Sequence, residues 1–226
     1  MARLDQRKLR TALWLLLAVS SGCNPQMLYF FLPENRDKAQ MLRLASEDNS
    51  KEVRVVILTY SNKLETRSEL IGAERELTQQ FAVKLQEGCK DNNERVTIVN
   101  PRKLEDFKNA HPGWYESDPR DIGRHFHADY VIYLEVDQLS LFNKADMNSQ
   151  YKGHVDIQVS LINVNEPDAS TQRKEFVCSY PSDAKAIPVD GDTPVTAFRE
   201  QFFGFIAKKL SWYFTEHLPR EGYDVE

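Results

Sequence analysis

ADYVIYLEVDQLSLF, residues 128–142, runs through the polar NKADMNSQ into YKGHVDIQVSLINV, residues 151–164. In the second half Val155, Ile157, Val159 and Leu161 alternate with His154, Asp156, Gln158 and Ser160. A period of two over this length is the signature of a strand buried on one face only. The stretch predicts a long antiparallel hairpin over 128–164. RKEFVCSYP, residues 173–181, supplies a third antiparallel partner through Phe176, Cys178 and Tyr180.

Upstream, VRVVILTY (residues 53–60) is apolar on both alternating faces, as a central strand covered on both sides would be. Thr66 and Glu69 read as a capping box, and Leu70, Leu77, Phe81, Leu85 and Cys89 follow at helical spacing, predicting a helix over 69–90. RVTIVNP (95–101) is a second short strand and KLEDFKNA (103–110) a short helix. After the loop HPGWYESDPRD (111–121), Asp118 caps a further helix with Pro119 in its first position and Ile122 and Phe126 on one side. Downstream, a helix starts at Thr193-Pro194 and reaches about His217. It carries Phe198, Phe202, Phe205, Ile206, Trp212 and Tyr213 on its main face, which reads as core before partner site, while Phe203 and Phe214 fall off that face and are its candidates for exposure.

The resulting order is β-α-β-α-α-β-β-β-α, with the C-terminal helix over 193–217. It implies an α/β (α+β) mixed-sheet sandwich in one domain over 53–218, followed by a tail over 219–226. There is no internal repeat and no low-complexity tract.

The amino-terminal segment fixes a different expectation. In TALWLLLAVSSGCNP (11–25) an apolar run follows Arg3, Arg7, Lys8 and Arg10 and ends in small residues. That order reads as a secretory signal. About 20 apolar residues are needed to span a bilayer, and Ser20, Ser21, Gly22, Asn24 and Pro25 interrupt the run sooner. Ser20, Ser21 and Gly22 directly before Cys23 resemble the lipobox of bacterial lipoproteins, with Ser20 where that family usually has leucine. The resemblance implies a signal peptide over 1–22, lipid on Cys23 and a location on the periplasmic face of the bacterial envelope. Asn24 is not the aspartate of inner-membrane retention, which favours the outer membrane. A plain signal peptide with a chance cysteine, and an uncleaved anchor continued by residues 27–32, are the alternatives. Residues 23–52, charged and helix-neutral, read as a lipid-anchored tether with a relaxed span of roughly 30 Å.

The chain carries a formal charge of −5, and a leader with four basic side chains and one acid would take the mature form to −8. An acidic domain without a basic stripe repels phosphate backbones, so nucleic acid is not an expected partner. Of the three cysteines, Cys89 and Cys178 remain once Cys23 is assigned to lipid. They read as either a disulfide or two buried free thiols.

VRVVILTYSN followed by a long helix, and IGRHFHADYVIYLEV (122–136), are similar to the small α/β domain of several envelope proteins. These are the curli-secretion lipoprotein, the lipoprotein activator of penicillin-binding proteins and the amino-terminal domain of the Tol periplasmic protein. Ala128, Asp129, Tyr130, Val131 and Ile132 carry the resemblance, and His127 stands where those proteins usually have glycine. It implies a lipid-anchored docking domain and transfers no catalytic residues.

A search for chemistry returns little. No P-loop, HExxH, GxSxG or GxGxxG is present, and His125 and His127 are wrongly spaced to share a metal. No catalytic residue, metal site or cofactor is assigned, and the chain reads as non-catalytic. Asp118 and Asp121 read as helix-capping acids, and Glu135 and Asp137 as the exposed face of a strand. Trp114 and Tyr115 in the loop 109–118, and Phe142 and Met147 around 142–151, are the candidate contacts for a protein partner in the envelope; a tryptophan folded back to cover its own loop is the equal alternative for Trp114. The competing readings are an oligomeric structural lipoprotein assembled through the aromatic C-terminal helix, and a hydrolase with a cryptic site.

Overall fold

The computed structural model describes residues 36–46, 49–61, 68–143, 150–166, 171–182, 186–189 and 193–219, all in the unit that begins at Arg36. The leader, Cys23 and Met147 lie outside the described residues. Six strands form one sheet: β1 Val53–Tyr60, β2 Val96–Ile98, β3 Tyr130–Phe142, β4 Gln150–Asn163, β5 Gln172–Tyr180 and β6 Ile187–Pro188. The order is β2-β1-β3-β4-β5, with β6 beside the start of β4. β1 is parallel to both β2 and β3; the β3–β4, β4–β5 and β4–β6 pairs are antiparallel. Four helices complete it: α1 Ala73–Asp91, α2 Pro101–Ala110, α3 Pro119–His125 and α4 Val195–Ser211.

The mixed α/β sheet and the long hairpin follow from the alternation in 128–164. One face of the sheet packs Val55, Ile57, Ile132, Val155, Ile157 and Val159 against α1 and α4. The other packs Val56, Leu58, Val131 and Ile162 against Leu104 of α2, Trp114 and Ile122 of α3. β1 is therefore buried on both sides, as its unbroken apolar run requires. β3 outruns it: the register ends at Tyr60 opposite Glu135, and residues 136–142 continue beyond, with a bulge at Asp137. On the second face, level with the end of β1, Glu135 of β3, Gln158 of β4 and Arg173 of β5 point to the same side, with Glu135 and Arg173 exposed and Gln158 half-buried.

Several boundaries differ from the sequence reading. α1 begins at Ala73 rather than Glu69, because Gly72 takes φ 73° at its N-cap and no side chain caps it; Thr66 lies outside the described residues. Asn100 and Pro101, read as a strand end, instead open α2, with the Asn100 side chain accepting from Arg102 N. Asp118 caps α3 as expected, accepting from Arg120 N at 2.8 Å, with Pro119 in the first position. Phe203 and Phe214, the candidates for exposure, are both fully buried. The face of α4 against the sheet is broader than one helical stripe, and the turn after Ser211 folds Phe214 back onto Phe81 at 6.1 Å. The aromatics of the C-terminal helix are thus spent in this chain's own core.

The expected tether is corrected over 36–46. Asp37 and His217 pair backbone to backbone, and Gln40 N and Met41 N donate to the carbonyls of Trp212 and Tyr213. Leu44 is buried, and Arg43 Nε lies 2.7 Å from Glu94 Oε1. Charge misled the reading: the polar residues of this strap face solvent or ion partners while Leu44 plugs the core.

The cysteines resolve as free thiols, Cys89 buried on α1 and Cys178 half-buried on β5. Burial pushes both thiols up, Cys178 to about 11 despite the nearby Lys209. The disulfide reading is therefore not realised.

Candidate functional site

A parallel strand flanked on both sides, with connecting helices leaving to opposite faces, opens a crevice at its carboxyl end, where α/β sheets bind ligands. β1 is that strand here. Its end meets the start of α1, the end of α2 and the turn Trp114–Glu116, enclosing a concavity of about 460 Å³ lined by Ile71, Gly72, Glu74, Glu105, Lys108 and Trp114 among others.

The polar groups at this point are bound to one another. Lys108, with its side chain 9% exposed, donates from Nζ to the Thr59 carbonyl at 3.1 Å and lies 3.4 Å from Glu105 Oε1. The same ammonium sits 4.5 Å above the Trp114 ring, a cation–π contact. The hydroxyls of Thr59 and Thr78 are 2.7 Å apart, with Thr78 donating to the Glu74 carbonyl. Ser61 N donates to Glu74 Oε1 at 2.7 Å, tying the strand end to the first turn of α1. With its three partners Lys108 is a structural cation, and the network makes the crevice rigid.

The structure separates the sequence-predicted contacts. Trp114 is 8% exposed, clasped by Lys108 and edge-on to Tyr60 at 5.9 Å, so it is a core residue and not itself a contact. Its neighbour Tyr115 is 46% exposed and stacks on Tyr60 at 5.3 Å. Phe142 packs into the core of the opposite face, 5.4 Å from Tyr151. It does not join Tyr115. Met147 lies outside the described residues, as does Cys23. Cys89 and Cys178 sit on the α1/α4 side, in the other core. Among the described residues no group of three His, Cys, Asp or Glu side chains could hold a metal ion. Nor, among them, is any helix long and apolar enough to cross a membrane.

Sequence reasoning missed Lys108, Thr59 and Thr78. A threonine ending an apolar strand and another inside the stripe of a helix are the only signals it offered.

No family model matches the chain, and no curated protein matches it in sequence. Solved structures with overlapping folds include PelC from Paraburkholderia phytofirmans, a dodecamer, at 12% identity over 79% of this chain and 96% of that one, with TM-score 0.38. A Xanthomonas campestris protein overlaps at 12% identity over 77% of this chain and 92% of its own, with TM-score 0.42. Lipoprotein GNA1162 from Neisseria meningitidis overlaps at 12% over 55% and 79%, with TM-score 0.36. None of these three is named as a curli-secretion, penicillin-binding-protein-activator or Tol protein. Overlaps of this size assign neither a family nor a function.

Proposed function

We propose that this chain is a non-catalytic, lipid-anchored protein of the bacterial envelope, outer membrane by preference, whose α/β domain docks another envelope component. The anchor rests on the basic, apolar and small-residue order before Cys23. Two or more acyl chains on one cysteine hold a domain at a bilayer stably where one chain does not.

The observation that carries the docking surface is Tyr115. Its ring is held by Tyr60 beneath and Trp114 beside it, so little conformational freedom remains to be lost on binding. Rigid aromatics of this kind concentrate binding energy in protein interfaces. The docking surface therefore centres on Tyr115, with the crevice beside it. Phe142 has no part in it.

A photo-crosslinking residue at position 115 in living cells tests this. We expect discrete adducts from position 115 that fade when Cys23→Ala releases the domain from the membrane. The same adducts from the exposed Val177 on β5, or none from position 115, would contradict it.

A further inference from the structure

Across the loop from the crevice lies a second concavity of about 410 Å³, on the open side of the hairpin. Asp118, Pro119 and Arg120 form one wall. Tyr133 and Glu135 of β3, Gln158 and Ser160 of β4, and Arg173 of β5 form the floor and far side. It falls in the size range of small-molecule sites.

Asp118 apart, its polar side chains are little used by the protein. Arg120 Nε is buried and has no hydrogen-bond partner among the described residues, and its Nη1 reaches only Asp118 Oδ2, at 3.9 Å. Arg173, Gln158 and Ser160 take no side-chain partner among the described residues. Asp118 is committed to capping α3 through Oδ1, so that helix end is already closed. Burial, with Glu135 beside it, pushes the Tyr133 hydroxyl up to about 12, which keeps it a neutral donor. In the crevice, by contrast, the donors and acceptors are paired with one another. Arg120 Nε is thus a buried donor, on a side chain 21% exposed, that can take an acceptor from a molecule in the concavity.

Two guanidinium groups from separate elements suit a carboxylate, which takes planar paired donors. Glu135, Gln158, Ser160 and Tyr133 suit hydroxyl groups, and two acids beside two cations disfavour a multiply charged phosphate. We propose that this concavity binds a hydroxylated carboxylic acid of the sugar-acid class, with Arg120 and Arg173 on the carboxylate and Glu135, Gln158 and Ser160 on the hydroxyls. This site is independent of the docking surface at Tyr115.

The test is isothermal titration of D-glucuronate into the full chain in neutral detergent, with glucose and acetate as comparators. A ligand of this size at a pocket of this kind binds at about millimolar strength. We expect saturable glucuronate binding, at least about tenfold weaker glucose and acetate binding, and a loss of about tenfold in both Arg120→Ala and Arg173→Ala. Unchanged melting of Arg173→Ala, whose side chain is exposed on β5, separates lost binding from lost fold. No heat from glucuronate, equal affinity for acetate or glucose, or full binding by Arg173→Ala would each overturn the proposal. Tyr115→Ala should bind glucuronate as the unaltered chain does, so failure of the docking reading leaves this result standing.

Discussion

Gly153 is the residue at which packing is least forgiving. On β4 it faces the ring of Phe202, and a methyl group there would lie 2.6 Å from ring carbons inside a closed core. Gly153→Ala should therefore destabilise the domain by about 1–3 kcal/mol, measured by urea unfolding. Unchanged stability would mean that α4 sits less tightly on the hairpin. Glu94 makes a prediction with a sign. Burial pushes its carboxyl above its ordinary value of 4.5, against the pull of Arg43, with Cys89 and Glu216 also nearby. The folded state then holds that proton more tightly than the unfolded chain. The group's contribution is largest below 4.5 and is lost as pH rises through the raised value. The stability of the unaltered protein minus that of Glu94→Gln should thus fall as pH rises from about 4.5 towards neutral; a difference that is flat or rising with pH would contradict it. At this scale some roles were legible in the residues themselves: Asp118-Pro119 announced a helix start. Others were not. Trp114 read equally as a loop contact or as a cover for its own loop, and nothing in its neighbours reveals that Lys108 folds over it and decides for the second. His127 takes the left-handed conformation, φ 52°, which no signal in the neighbouring residues announced.

At the scale of elements, periodicity told the truth where it was strong. The hairpin 128–164 and the β5 segment emerge within a residue or two of their predicted limits, because a one-residue slip would turn Val155, Ile157 and Val159 out to water. The first turn of α1 was misplaced because a backbone device, the left-handed Gly72, sets it rather than a side-chain cap. The strap over 36–46 was illegible for a different reason. It has neither helical nor strand periodicity and is held by backbone bonds to Trp212, Tyr213 and His217, residues more than 160 positions away. One buried side chain anchors it, so Leu44→Ala should cost about 2–5 kcal/mol in urea unfolding of the whole domain. Loss of less than about 0.5 kcal/mol, the range of a surface change, would return the strap to the status of a linker.

Over the whole molecule, the division of labour follows from the sheet. One face is closed by α1, α4 and their aromatics, and supplies the bulk of the core. The other is closed only over β1 and the first half of β3. The loop carrying Trp114 and Tyr115 stands at the edge of that cover, with the crevice on one side and the open sheet concavity on the other. The fold class was legible from alternation and helical spacing alone. The site was not, since exposure of Tyr115 and burial of Trp114 depend on contacts between elements. The proposed anchor rests on the sequence alone, since Cys23 lies outside the described residues. It also underlies the account's central claim, that this domain works while tethered at the envelope. The direct measurement is the intact mass of the protein extracted from bacterial membranes, beside a Cys23→Ala version. The account predicts a chain that starts at Cys23 and carries diacylglycerol mass, absent from the variant. An unlipidated chain, or one that still carries residues 1–22, would contradict it.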